Sequence, residues 1–386
     1  MFGARQVARS AGRVRRAACV AAVLITLSGG AWPGGVVDVS HAGPRAATAR
    51  ASETAIGQAP RRARARPLPP GITPATKAAI DRGLAYLART QRRQGFWENQ
   101  SAYAAYPVAM TALAGVALLM DGNTTTQGRY ALQVDRAVRY LVASSTATGL
   151  IAQPEEEARP MYGHGFSMMF LGQVYGMLED PRRTERVHDV LVRAIVLTGQ
   201  AQSRDGGWIY TPDGRADEGS VTVTQVQALR SCRNAGIAVP KAVIDDAMAY
   251  LAMSQNSDGG IRYTLRQRQG ASRPPLAAAA VCCWFNAGQY RNPRALRALS
   301  FCKTHLTPTL ATGRHDFYAH LYYAQALYVS GDDYWNEYFT KMRDQLLAAQ
   351  KPDGHWVGDG AGDIYGTAAA LIILQLPYNL LPIMQR

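Results

Sequence analysis

The sequence predicts an all-α fold, an (α/α)6 toroid in which six repeats build two concentric rings of helices. Three observations carry this expectation. A turn of the form Gln-x-x-x-Gly-x-large-apolar recurs as QRRQGFW from Gln91, QSRDGGW from Gln202, QNSDGGI from Gln255 and QKPDGHW from Gln350. The gaps of 111, 53 and 95 residues are about two, one and two units of roughly 50. Each turn also separates an amphipathic segment from one that is apolar on every side, so each unit supplies one half-wet helix and one buried helix.

Taken in order, the first unit opens with AIDRGLAYLARTQ, where Ile80, Leu84 and Leu87 fall on one helical face, and continues after Gly95 into YPVAMTALAGVALLM. The second is a weaker copy, VDRAVRYLVASSTATGLI from Val134 to Ile151. It has Ser145 in the Gln slot and is followed by GFSMMFLGQVYGML. The third turn, at Gln202, leads into SVTVTQVQALRSC. The fourth pairs VIDDAMAYLAMSQ (Ile244, Met248, Leu251) with PLAAAAVCCWF. The fifth, ALRALSFCKTHL from Ala295 to Leu306, carries His305 in the Gln slot and leads into FYAHLYYAQALYV. The sixth turn, at Gln350, leads into YGTAAALIILQL. Asp-Gly and Gly-Gly pairs suit the left-handed backbone that such turns need.

The Gln-x-x-x-Gly-x-Trp signature resembles the prenyltransferase/squalene-oxidase repeat of squalene and oxidosqualene cyclases and of protein prenyltransferase β-subunits. The resemblance runs from about Pro74 to Arg386. Stretches such as MYGHGFSMMFLGQVYG and YGTAAALIILQLPYNLLPIMQR look most like secreted bacterial members of undefined activity. The resemblance implies a terpenoid cyclase-like toroid around a central cavity. It further implies that Gln91, Gln202 and Gln350 bond backbone at a helix end, with Trp97, Trp208 and Trp356 packed beside them.

The family's two chemistries lack their residues here. Cyclisation uses a D-x-D-D acid motif, and the nearest stretch is Asp363-Ile364-Tyr365-Gly366-Thr367-Ala368. Asp363 keeps the first position, but Tyr365 stands where the proton donor belongs, and a phenol of pKa about 10 is a poor acid for an alkene. Zinc-dependent prenyl transfer uses Asp-x-Cys and a distant His, and no Asp-x-Cys occurs. Cys302 and His305 share a helix face without a third ligand. With no Gly-x-Gly-x-x-Gly fingerprint and no P-loop, neither cofactor nor metal is expected.

Other polar groups gather where the buried helices begin. Tyr162 and His164 open the second, Asp217 and Glu218 precede the third, His315, Asp316 and His320 open the fifth, and Tyr365 opens the sixth. His164, His315, Asp316, His320 and Tyr365 are the candidate acid/base groups. Tyr106, Tyr162, Phe166, Asp217, Glu218, Trp284, Phe317 and Asp363 are the candidate ligand contacts. Three functions suit them. The first is a cavity holding a hydrophobic small molecule or lipid, apolar or isoprenoid-like. The second is a His/Tyr enzyme, either isoprenoid cyclase-like or a polysaccharide lyase. The third is a non-catalytic scaffold with an envelope protein partner.

The net charge of +14 does not point to nucleic acid. Residues 1–66 hold eleven arginines against Asp38 and Glu53, so nine of those charges precede the repeats. Residues 1–42 run from a basic stretch ending at Arg16, through the apolar Ala17–Leu27, to small residues that offer cleavage after Ala31 or Ala42. That order reads as a secretory signal, or as an anchor if uncleaved, and predicts a periplasmic or extracellular protein. Residues 43–73, rich in Arg, Ala and Pro, read as a flexible linker before the toroid at 74–386. The acidic run Glu155-Glu156-Glu157 reads as a solvated loop. The uncharged stretch Ile364–Gln385 is long enough to span a bilayer, but Pro377 and Pro382 break it, and it is expected to be the sixth buried helix.

Overall fold

The computed structural model describes residues 67–386 except 100–104, 154–157, 311–314, 332 and 386. The expected signal, most of the linker and the three consecutive glutamates therefore lie outside the described residues. Twelve α-helices are present among the described residues, without strands. Six form the outer ring: α1 (Pro74–Thr90), α3 (Ala131–Ala143), α5 (Pro181–Gln200), α7 (Lys241–Ser254), α9 (Pro293–His305) and α11 (Tyr334–Ala349). Six form the inner ring: α2 (Pro107–Met120), α4 (Pro160–Tyr175), α6 (Gly219–Asn234), α8 (Pro274–Asn286), α10 (Asp316–Ser330) and α12 (Asp363–Gln375). The inner helices pack in the cycle α2–α4–α6–α8–α10–α12 and back to α2, so the ring is closed.

Local sequence sets the helix ends. Pro74, Pro107, Pro160, Pro181, Pro274 and Pro293 occupy the first helical turn, where the absent N–H has no intrahelical partner to lose. Thr73, Asp180 and Asn292 cap outer helices with side-chain oxygens on free backbone N–H groups. The outer helices bury one face: α5 covers Val187, Val190, Leu191, Ala194 and Ile195 and leaves Val196 in water. By contrast, all fourteen residues of α2 are buried, which is what an inner position requires of a helix without a polar face.

The turns stitch each unit to the next. Gln91 Nε2 donates to Gly95 O at 3.0 Å within its own turn and to Gln133 O at 2.9 Å in the following unit. Gln202 repeats this with Gly206 O and Val243 O, and Gln255 with Gly259 O and Arg294 O. Gln350 reaches Gly354 O and Ala79 O, each at 2.9 Å, joining the last unit to α1. Gly206 is held at φ +88°, and a Cβ there would stand 2.1 Å from Asp246 O. Only glycine allows the turn to lie that close to the next helix.

The C-terminal segment turns across the far end of the inner ring. Pro377 sits in the first turn of a 3-10 helix (Leu376–Tyr378) and Pro382 begins another (Pro382–Met384), and α12 stops at Gln375. Ile383 N donates to Gln173 Oε1 at 3.4 Å, which seats this segment against α4. Among the described residues no helix is long and apolar enough to cross a membrane.

Candidate functional site

The Trp slots show how the inner helices are fixed. Trp97 N donates to Thr111 Oγ1 at 3.0 Å, Trp208 N to Thr222 Oγ1 at 3.1 Å and Trp356 N to Thr367 Oγ1 at 3.0 Å. Each indole N–H donates to a carbonyl of the preceding outer helix: Leu87 O, Thr198 O and Leu346 O. In the second unit Ile151 occupies the Trp slot, and its N–H donates to His164 Nδ1 at 3.2 Å. His164 therefore stands where the first, third and sixth units place a threonine.

This bears on the two histidines expected as acid/base groups. His164 is fully buried, and its Nε2 lies 3.0 Å from Thr198 Oγ1. His320 is 2% exposed, with Nδ1 3.0 Å from Tyr338 Oη and Nε2 3.2 Å from Thr309 O. Burial drives both imidazoles from the usual 6.5 down to about 4, so both are neutral at pH 7. With both nitrogens of each ring engaged inside the wall, these side chains hold the second and fifth units together.

The other expected residues divide by position. Asp217 is buried, accepting from Tyr250 Oη at 3.0 Å and Leu265 N at 2.9 Å, and so ties a loop to α7. Asp363 turns outward to His355, with Oδ2 3.7 Å from Nε2 and its side chain 47% exposed. His315 is exposed, in the left-handed region at φ 77°, and Asp316 follows it at the start of α10. Trp284 is buried in the lower half of α8. Tyr106, at φ 45°, is half-buried at the start of α2. Phe166, Phe317 and Tyr365 retain 6–8% exposure.

Tyr162 and Glu218 do come together, where α4 and α6 begin. Glu218 caps α6, accepting from Ser220 N and Val221 N at 3.0 Å each, and from Ser220 Oγ at 2.6 Å. Ser220 Oγ in turn bonds the Tyr162 hydroxyl. On the other side the Tyr263 hydroxyl meets the Tyr210 hydroxyl, close enough to feel the Glu218 charge. A chain of hydroxyls thus runs from Tyr162 through Ser220 to a carboxylate that is 1% exposed. Burial outweighs these donors and pushes Glu218 upward, while burial and then the nearby Glu218 charge push Tyr162 and Tyr263 up. Arg159 lies over the Tyr210 ring and Arg273 over the Tyr263 ring, each at 4.9 Å.

On α10 Tyr318 and Tyr322 meet edge to face at 4.9 Å. Burial pushes Tyr318 up first, then Tyr322, Tyr162, Glu218 and Tyr365 in turn. Tyr162 lies on α4, Tyr318 and Tyr322 on α10, Tyr365 on α12, and Glu218 caps α6, and these groups are close enough to act on one another electrostatically. The hydroxyls of Tyr318 and Tyr322 are buried without a hydrogen-bond partner among the described residues. Asp359 caps α10, accepting from Phe317 N at 3.2 Å and Tyr318 N at 3.1 Å, and burial raises its carboxyl.

The sequence reading missed Tyr210, Tyr263, Tyr322 and Asp359. A signal existed for three of them. Tyr210 and Tyr263 each lie two residues after a Trp slot, and Tyr322 lies one helical turn after Tyr318. Asp359 has no such signal, because its partner is 41 residues away. Among the described residues no group of three or more His, Cys, Asp or Glu is placed to hold a metal ion. Cys232, Cys282, Cys283 and Cys302 are free and buried, and burial raises all four thiols, Cys232 to about 12.

Comparison with known proteins agrees with this architecture. No family model matches the chain. A drimenyl diphosphate synthase from Streptomyces showdoensis is 27% identical over 201 residues. That alignment covers 52% of this chain and 34% of the synthase, so the chain matches about a third of the relative's length. The apo type II terpene cyclase MstE from Scytonema superposes with a TM-score of 0.55 at 15% identity, over 80% of this chain and 99% of that one. The same cyclase has also been solved with its substrate geranylgeranyl dihydroxybenzoate. An α-1,6-mannanase from Salegentibacter superposes with a TM-score of 0.59 at 9% identity, over 79% and 99% of the two chains. These structural matches show the fold, a terpenoid cyclase-like α/α toroid, as the Gln–Trp turns imply.

Proposed function

We propose that the toroid binds an apolar or isoprenoid-like ligand in its tyrosine-lined mouth. One observation carries this reading: the buried, unpartnered hydroxyls of Tyr318 and Tyr322, beside Tyr162 and Tyr365. Leaving a buried hydroxyl unbonded costs about 1–3 kcal/mol, and a ligand with an acceptor group at that level offsets it. The aromatic walls suit an alkene chain, and they would stabilise a cationic one further. The substrate of MstE and the name of the drimenyl diphosphate synthase support an isoprenoid in particular.

The hydroxyl chain from Tyr162 through Ser220 to Glu218 favours a second reading, acid–base chemistry on the bound molecule, with Glu218 in place of the histidines. A buried carboxyl of raised pKa can hold or release a proton, and Tyr162, through Ser220, is its route outward. We read the chain as exported, on the basic–apolar–small order of residues 1–42.

The test is untargeted mass spectrometry of lipids that co-purify with the full-length protein. Enrichment of an isoprenoid or similarly apolar molecule is expected, with that molecule lost from a Tyr318→Phe/Tyr322→Phe variant. A protein that enriches no lipid, or the same lipid in both forms, overturns the reading.

A further inference from the structure

The mouth of the toroid carries its positive charge on one side. Arg159 immediately precedes α4, Arg215 lies three residues before Glu218, the cap of α6, and Arg266, Arg268 and Arg273 lie on the loop leading into α8. All five are exposed, and none is in an ion pair among the described residues. The three loops are joined. Arg266 Nη2 donates to Arg215 O at 2.8 Å, and Arg262 Nη1 braces the last loop at Arg268 O at 3.0 Å. Between them the hydroxyls of Tyr210 and Tyr263 meet, with Arg159 over one ring and Arg273 over the other.

The acids nearby are already engaged. Asp217 and Glu218 are buried in their own hydrogen bonds. Asp213 accepts from Arg215 N, and Asp258 accepts from Gly260 N and Ser272 Oγ. Across the mouth the sign reverses, with Asp316, Asp359 and Asp363 at the starts of α10 and α12.

The geometry points to this arc of arginines, over the starts of α4, α6 and α8, as a docking surface for an anionic lipid bilayer. Two observations select a membrane over other polyanions. The charges spread over three helix starts on the face that holds the mouth, which suits a broad charged plane. The aromatics among them, Tyr210 and Tyr263, are half-buried with a guanidinium over each ring, so they are not the stacking platform that single-stranded nucleic acid uses. Each arginine close to an anionic surface changes partitioning by roughly fivefold, and five together seat the ring by this edge. Docking there sets the mouth against the bilayer, from which an apolar molecule enters without crossing water. The inference goes beyond the ligand reading and is tested separately from it.

The experiment follows amide hydrogen exchange in the full-length protein, with vesicles of phosphatidylglycerol and phosphatidylcholine in equal parts and with phosphatidylcholine alone. Sedimentation by itself does not decide, because the eleven arginines of residues 1–66 attract anionic vesicles too. Exchange reads the toroid directly. Amides of residues 262–273 are expected to slow at least fivefold on the anionic vesicles in about 0.1 M salt. They should recover in about 1 M salt, where the screening length falls to ~3 Å, and be unchanged by phosphatidylcholine alone. An Arg215→Gln/Arg268→Gln/Arg273→Gln variant with the parent's circular dichroism is expected to need at least tenfold more anionic lipid for half the slowing. If the triple variant lacks that spectrum, Arg268→Gln alone takes its place, with about fivefold more lipid expected. Any of four results overturns the docking surface: sedimentation of the parent without slowing of these amides, equal slowing by phosphatidylcholine, slowing unmoved by the glutamine changes, or slowing by soluble polyphosphate but not by vesicles.

Discussion

The first, third and sixth units differ from the second and fifth in one respect that explains the chain's histidines. In the former group a Gln, a Trp and a Thr share the work: the Gln stitches to the next unit, the indole bonds the preceding helix, and the threonine takes the turn's N–H. The second unit has Ser145 for Gln and Ile151 for Trp, and the Ser145 hydroxyl is buried without a partner among the described residues. There His164, larger than threonine and with two ring nitrogens, spans the gap between Ile151 N and Thr198 Oγ1. In the fifth unit His320 plays a similar part between Thr309 and Tyr338. A histidine near the start of an inner helix, which in sequence suggests an acid or base, therefore marks a unit that has lost its usual fastening.

The contrast can be broken most severely at the indoles. Trp208→Ala removes a fully buried ring and its donor to Thr198 O, with an expected loss of about 3–5 kcal/mol. Ile151→Ala in the second unit has no ring N–H to lose and should fall toward the lower end of about 2–5 kcal/mol. Denaturant unfolding of the two variants compares them, and equal losses would erase the distinction.

Acid sharpens the same contrast. Both histidines have folded pKa values near 4, below the unfolded 6.5, so the unfolded chain binds more protons in that window. Their contribution to stability is complete above pH 6.5 and is lost as pH falls toward 4, by up to about 3 kcal/mol for each ring. Melting curves taken from pH 7 to 4.5 should show the decline. His164→Thr should lower stability at pH 7 yet flatten the slope, and an unchanged slope would mean that this ring does not titrate with unfolding.

The smallest expected effect is a gain. Ser145→Gln supplies the second unit with the missing amide, and two new bonds to backbone carbonyls are expected to add about 1 kcal/mol. The reverse change, Gln202→Ala, should cost about 1–2 kcal/mol by leaving the Gly206 and Val243 carbonyls without their donor. Thermal shifts of opposite sign in the two variants would establish the amide as the difference between the units.

Much of the fold was legible because the repeat is local. Gln to Gly spans four residues and Gly to Trp two more, so turns, helices and their alternation all lie within a short window. The candidate site was legible in part. Tyr162, Glu218 and Tyr365 could be placed because helix starts can be read from the pattern. Their partners could not, since Tyr162 answers to Ser220 at a separation of 58 residues, and Gln227 to Gln325 at 98. Which groups on a buried helix face one another across a ring depends on the rotation of each helix, and helices apolar all round leave that rotation unmarked. For the same reason Asp363, aligned by sequence with an acid, proved to face His355 at the outer edge.

The bond from Gln350 to Ala79 joins positions 271 residues apart. In an open array of repeats each unit leans only on its neighbours, terminal units need polar caps, and folding can begin anywhere and spread. Here the last unit is the cap of the first, reinforced by Asn99, which accepts from Ile364 N at 3.1 Å. Closing so long a loop is an entropic cost met once, and only after the sixth unit exists does the first have both its neighbours. Deleting one unit would leave five stitched units with two raw edges, so the ring should unfold as a whole where a linear array would merely shorten.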